Sequence, residues 1–125
     1  MSTILITGCS TGLGFATAER MARAGHTVYA TMRNPQRAPE LAQLAGRDNL
    51  PISILPMDVD SDKSVNETVA QVLARAGQID VLVNNAGIGP LGSVEEAPFA
   101  DFQAIMETNY FGVLRCIRAV LPGMR

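Results

Sequence analysis

A short apolar run, Ile4-Leu5-Ile6, gives way within a few residues to a segment whose apolar positions, Ala16, Ala18, Met21, Ala22 and Ala24, are spaced as on a helix. The join is Thr7-Gly8-Cys9-Ser10-Thr11-Gly12-Leu13-Gly14. A buried strand that must turn sharply into a helix leaves few options for the residues at the bend. Gly8 allows the turn out of the strand. Gly12 removes a Cβ where an anionic group would approach the backbone, and Gly14 lets the helix lie close to the sheet. The helix tip carries about half a positive charge and free N–H donors, and the hydroxyls of Ser10 and Thr11 add further donors. A tight turn with no ligand would also use these glycines. Their place between a strand and a helix, inside a strand-helix-strand unit, points to a dinucleotide site. A nucleoside-triphosphate loop needs a Gly-Lys-Ser/Thr ending, and the chain's one lysine is Lys63.

The remaining pattern extends the same unit. Gly25 ends the first helix, and Thr27-Val28-Tyr29-Ala30-Thr31 reads as a second strand. A polar, proline-containing stretch from Asn34 to Asn49 holds a helix, and Ile52-Ser53-Ile54-Leu55 is a third strand. Ser61 is a suitable N-cap for a helix with the stripe Val65, Val69, Val72, Leu73 and Ala76. Val81-Leu82-Val83 is a fourth strand, residues 87–98 form a loop, and a long helix runs from Phe99 to Leu121 before Pro122-Gly123 stop it. Near-continuously apolar strands separated by helices imply parallel pairing with both faces covered. Right-handed crossovers then leave essentially one layout: an α/β, Rossmann-type, doubly wound parallel sheet of about four strands, incomplete at residue 125.

Composition closes off other classes. Of 125 residues, 47% are hydrophobic and 18% charged, which suits a packed core and excludes general disorder. A net charge of −2 argues against a nucleic-acid partner. No apolar stretch approaches the ~18 residues of a membrane span, and the N-terminus lacks a basic, signal-like start. Cys9 and Cys116 give no disulfide framework, so free packing thiols in the cytoplasm are expected. His26 has no ligand-spaced Cys or His neighbours, so no metal is assigned, and the Glu95-Glu96 pair reads as solvated.

The glycine spacing, Gly-x-x-x-Gly-x-Gly, resembles that of the short-chain dehydrogenase/reductase family. Asp58-Val59 after the third strand, Asn84-Asn85-Ala86-Gly87 after the fourth and Asn109-Tyr110-Phe111-Gly112 in the long helix agree with it in order and spacing. The likeness covers the N-terminal half of a family member. Within the family, the loop and Ala30-Thr31-Met32-Arg33-Asn34 look most like hydroxysteroid or retinol dehydrogenases. The resemblance places the cofactor's diphosphate on Gly8, Ser10, Thr11, Gly12, Leu13 and Gly14. It gives Asp58 and Val59 the adenine, and Asn84, Asn85, Ala86 and Gly87 the floor under the adenine ribose. Asp58 would otherwise be a strand-end carboxylate, and the Asn-Gly segment a turn.

An NAD-selective site places an acidic residue about 20 positions beyond the glycines, at the end of the second strand. Here no Asp or Glu occurs between Glu19 and Glu40, and Arg33 stands there instead. A guanidinium can grip a 2′-phosphate with two donors, so NADP(H) is expected over NAD(H), which remains usable. A solvated loop arginine is the plain alternative.

On the long helix, Phe102, Ile105, Met106, Asn109, Val113, Ile117 and Val120 recur at spacings of three and four, which puts Asn109 on the buried stripe. By resemblance Asn109 belongs to the catalytic group and holds a water in the proton relay. A core asparagine bonded to backbone would look the same. Gly112 in mid-helix hints at close packing, and Arg115 and Arg118 read as solvated or interface charges.

The family's catalytic tyrosine and the lysine four residues beyond it have no match. Tyr29 is followed by Arg33 and Tyr110 by Leu114, and Ser93 does not fit the family's serine. Residues 1–125 therefore read as the N-terminal part of a single nucleotide-binding domain from an oxidoreductase. That enzyme would act on a small alcohol or ketone, as a dimer or tetramer when complete. The chain by itself would be inactive and weakly stable. Two alternatives are a non-catalytic NADP(H)-binding module or sensor, and a half-domain that pairs with another chain.

Overall fold

The computed structural model describes residues 1–89 and 92–125. In chain order the elements are β1 (Thr3–Ile6), α1 (Gly12–Arg23), β2 (Thr27–Met32), a 3-10 turn (Pro35–Arg37), α2 (Glu40–Arg47), β3 (Ile52–Pro56), α3 (Asp62–Ala76), β4 (Val81–Val83), α4 (Phe99–Met106), a π-helical turn (Glu107–Phe111) and α5 (Gly112–Met124). The strands form one parallel sheet in the order β3-β2-β1-β4, with Leu5 opposite Tyr29 on one side and Leu82 on the other. This is the half-sheet expected from the strand-helix alternation.

Alternation along each strand explains why both faces are apolar. Leu5, Tyr29 and Leu55 point to one side, where Val65, Val69 and Val72 of α3 and Cys116 and Val120 of α5 cover them. Ile4, Ile6, Val28, Ala30 and Met32 point to the other, under Ala18 and Ala22 of α1 and Leu41 of α2. The Ser61 cap forms as expected: its hydroxyl accepts the Ser64 amide at 3.1 Å. No helix among the described residues is long and apolar enough to cross a membrane.

The long helix departs from its expected form. It is continuous from Phe99 but carries a π turn at residues 107–111. An extra residue in one turn shifts the phase of everything around it. The buried positions are Thr108, Gly112, Cys116 and Val120, while Asn109 is exposed and Ile117 is 36% exposed. The expected stripe is therefore displaced, and small residues make the contact. A Cβ on Gly112 would lie 2.9 Å from Val59 Cγ2. Nor does Pro122 end the helix, which continues to Met124. So close to the end, the missing proline N–H removes a single hydrogen bond. Of the loop expected over 87–98, Pro90 and Leu91 lie outside the described residues.

Both thiols are buried, and Cys9 donates to the Ile6 carbonyl at 3.3 Å. Burial pushes the Cys9 thiol up to about 12 and that of Cys116 to about 11, from an ordinary 9.0. The folded state thus keeps protons that the unfolded chain loses above pH 9, so stability falls as pH rises from there. Urea unfolding is expected to show a midpoint that declines between pH 9 and 11, with a shallower decline in Cys9→Ala. Equal slopes would show that Cys9 does not supply this dependence.

Candidate cofactor cleft

The loop between β1 and α1 is held open by its own backbone needs. Gly8 has φ +70°, and a Cβ there would meet Ala86 Cα at 2.8 Å. Gly12 has φ +62° and nothing within 4 Å of where its Cβ would stand. Gly14 is buried, and a Cβ would fall 2.2 Å from the Gly8 carbonyl oxygen and 2.5 Å from Asn85 Nδ2. Each glycine thus has a separate reason: conformation with close approach at Gly8, open space at Gly12, and helix-to-loop packing at Gly14.

Thr11 is the N-cap of α1, yet its side chain caps nothing. Cys9 N–H is committed to Thr31 O and Phe15 N–H to Thr11 O. Among the described residues, the amides of Ser10, Thr11, Gly12, Leu13 and Gly14 find no backbone acceptor. Unsatisfied first-turn donors need water or an anion. They stand beside a cleft of about 470 Å³ whose lining includes Gly8, Ser10 and Thr11, Asn85, Ala86 and Gly87, and Arg33 and Arg37. Val59, Ile88 and Thr108 also line it, with Met32 and Met57 among the rest.

Of the residues expected in the site, Gly8, Ser10, Thr11, Arg33, Val59, Asn85, Ala86 and Gly87 therefore line one cleft. Gly12, Leu13 and Gly14 form the adjoining helix tip, Leu13 with its side chain 79% exposed. Asp58, Asn84 and Asn109 lie outside the lining. Asp58 sits at the margin, its Oδ1 3.7 Å from Arg33 Nε and accepting the Asp60 amide at 3.0 Å. Arg33 also donates to Asp60 Oδ2 at 3.1 Å.

Thr7 fastens the floor to the loop. Its buried hydroxyl oxygen accepts the amides of Asn85 and Ala86 at 3.0 and 2.9 Å, and Asn85 Nδ2 donates to Gly8 O at 3.0 Å. Asn109 does a similar job for the helix: Ile88 N–H donates to its Oδ1 at 2.8 Å, and its Nδ2 donates to Ile88 O at 2.7 Å. It is bonded to backbone, as a structural asparagine would be, but at the surface. Arg115 is a bound residue and not a solvated one. It donates to Asp62 Oδ1 at 2.8 Å, to Val59 O at 3.1 Å and to Glu107, tying the π turn to the start of α3.

Sequence reasoning did not single out Thr7, Arg37 or Thr108. Arg37 had a signal, a second arginine four positions after Arg33 in a stretch without acids. Thr7 and Thr108 act through partners distant in sequence, which no local pattern marks.

Free amides at a helix tip, an absent Cβ at Gly12 and two guanidinium groups lining the adjoining cleft fit an anionic dinucleotide. Comparisons with known proteins give the family. A model of the short chain dehydrogenase family matches residues 2–125. The chain is 40% identical over 122 residues to 3-ketodihydrosphingosine reductase of Bacteroides thetaiotaomicron, covering 98% of this chain and 42% of that protein. It is 39% identical over 127 residues to human retinol dehydrogenase 8, covering 98% and 40%. The alcohol dehydrogenase of the archaeon Thermococcus sibiricus, solved in complex with 5-hydroxy-NADP, superposes with a TM-score of 0.90 at 33% identity, covering 99% of this chain and 53% of that one. The chain thus spans about two fifths of the curated relatives it matches. With sheet, glycine loop and cleft in place and the match running nearly end to end, this chain belongs to the short-chain dehydrogenase family.

Proposed function

We propose that this chain is the cofactor-binding part of an NADP(H)-dependent oxidoreductase that acts on an alcohol or carbonyl group of a small molecule. One observation carries the reading: Ser10 and Thr11, at the uncapped start of α1, and the pair Arg33 and Arg37 line one cleft, and the end of β2 supplies no carboxylate. The diphosphate lies against Ser10, Thr11 and the amides of Gly12, Leu13 and Gly14. Asn85, Ala86 and Gly87 support the adenine ribose with Asn84 beside them, and Asp58 and Val59 flank the adenine. Arg33 takes the 2′-phosphate, with Arg37 as a second cation. The 5-hydroxy-NADP complex of the Thermococcus sibiricus relative supports the phosphorylated cofactor.

When bound, the cofactor supplies hydride exchange at its nicotinamide. Asn109 positions the helix at the cleft's edge by clasping Ile88, and the π turn that carries it is braced by Arg115. Residues 1–125 are the N-terminal part of a single domain, and the serine, tyrosine and lysine that complete the chemistry lie in the rest of the enzyme. The share of its relatives that the chain spans supports this. The exposed row Tyr110, Leu114, Ile117 and Leu121 supports a homo-oligomer.

The test is cofactor affinity, read by fluorescence titration of the purified protein. Arg33→Asp removes charged hydrogen bonds worth about 1.5–3 kcal/mol and adds repulsion, so NADPH affinity is expected to fall about tenfold to a hundredfold. NADH, which offers only a 2′-hydroxyl, is expected to change less than about threefold. Equal weakening of both would remove the NADP(H) assignment.

A further inference from the structure

Arg33 does not face the cleft alone. Asp60 Oδ2 accepts its Nη2 at 3.1 Å. The other oxygen, Oδ1, accepts the hydroxyl of Thr108 at 2.7 Å. Thr108 is only 3% exposed and sits within the π turn, so its hydroxyl is a fixed anchor. The backbone fixes Asp60 as well, its amide donating to Asp58 Oδ1 at 3.0 Å. The Asp60 carboxylate is therefore anchored by Thr108 through one oxygen while its other oxygen holds the guanidinium. It does not line the cleft.

We propose that Asp60 is a specificity-determining residue of this cleft. Held in place by Thr108, its carboxylate competes with the cofactor's 2′-phosphate for Arg33 and limits how strongly NADP(H) is preferred over NAD(H). This rests on the assignment of Arg33 to the 2′-phosphate. A phosphate that docks on Arg33 must displace Asp60 or share the guanidinium with it. Because Thr108 holds Asp60 in place, the guanidinium stays partly engaged and offers the phosphate fewer donors and less of its charge. A 2′-hydroxyl meets no such penalty. Asp60 thus lowers affinity for one cofactor and leaves the other untouched, acting through Arg33 without touching the ligand.

The experiment measures dissociation constants of NADPH and NADH for the purified protein and for Asp60→Asn, Arg33→Ala and the double variant. Asp60→Asn keeps the shape and an oxygen acceptor for Thr108. It is expected to tighten NADPH about threefold to tenfold, with NADH within about twofold, and the gain should shrink as salt rises. In the Arg33→Ala background the same change is expected to alter NADPH by less than about twofold, because there is no guanidinium left to contest. If Asp60→Asn does not fold, Asp60→Ser removes the charge and answers the same question. Unchanged or weaker NADPH binding in the variant that lacks the carboxylate, while Arg33→Ala still loses NADPH selectively, overturns the role of Asp60 and leaves the cofactor reading standing. Loss of no NADPH affinity in Arg33→Ala overturns both.

Discussion

Replacing Gly14 by alanine is expected to destabilise the protein by about 3 kcal/mol or more, a large part of the roughly 5–15 kcal/mol that holds a typical domain together. The new methyl carbon would fall 2.2 Å from the Gly8 carbonyl oxygen and 2.5 Å from Asn85 Nδ2. The first of these is backbone and cannot turn aside. Relief requires α1 to lift from the loop, which also moves the free amides at its tip and breaks the bond from Asn85 to Gly8 O. Helix propensity works the other way, since alanine gains ~1 kcal/mol over glycine inside a helix, so the clash must outweigh that gain. Gly46 is the internal control. It lies in α2 with nothing within 4 Å of its Cβ direction, so Gly46→Ala is expected to raise stability by about 0.5–1 kcal/mol. Chemical denaturation of the two variants beside the parent decides the matter. A Gly14→Ala midpoint at or above the parent's would show that the close approach is not what glycine is there for.

Gly14 also shows what local pattern can reveal. Its role was legible because a strand, a turn and a helix in succession permit one geometry, and the glycine spacing marks where backbones meet. That Arg33 would stand at the cleft was legible because it occupies the end of the second strand, where an acid is missing. What Arg33 meets was not, because Asp58 and Asp60 reach it from beyond another strand, with 27 residues separating Arg33 from Asp60. The long helix failed for a different reason. A period of 3.6 residues assumes uniform turns, and the π turn at 107–111 breaks that assumption just where Asn109 sits. The error spread from there: the predicted stripe put large residues inward, while the structure buries Gly112 and Cys116 and leaves Tyr110, Leu114 and Ile117 outward. Arg115 read as a solvated or interface charge because neither Glu107, two turns back, nor any acid at a spacing of three or four marked it as paired. Its partner Asp62 lies 53 positions away and meets it only once α3 and α5 are side by side.

Thr7 combines both lessons, and its replacement is the second large effect expected. Thr7→Val keeps the volume and branching of a side chain only 1% exposed, so packing is preserved. What is lost is one oxygen that serves two amides, those of Asn85 and Ala86. Each donor left unsatisfied away from water costs about 1–3 kcal/mol, so for the two a loss of about 2–6 kcal/mol is expected, the upper figure applying if water cannot reach them. The same loss should be felt in the cleft. Asn85, Ala86 and Gly87 line it, and with the Thr7 hydroxyl gone the ties of this segment to the loop that remain among the described residues are Asn85 Nδ2 and the close approach at Gly8. NADPH and NADH are then expected to weaken together, by about tenfold, because the adenosine ribose is common to both. That distinguishes Thr7→Val from Arg33→Asp, which separates the two cofactors. Thr7→Ser returns the acceptor without the methyl group and should recover most of the affinity, while keeping a stability deficit of about 1 kcal/mol for the methyl carbon. Failure of serine to restore binding would mean that the methyl group, and not the shared oxygen, holds the floor of the cleft against the glycine loop.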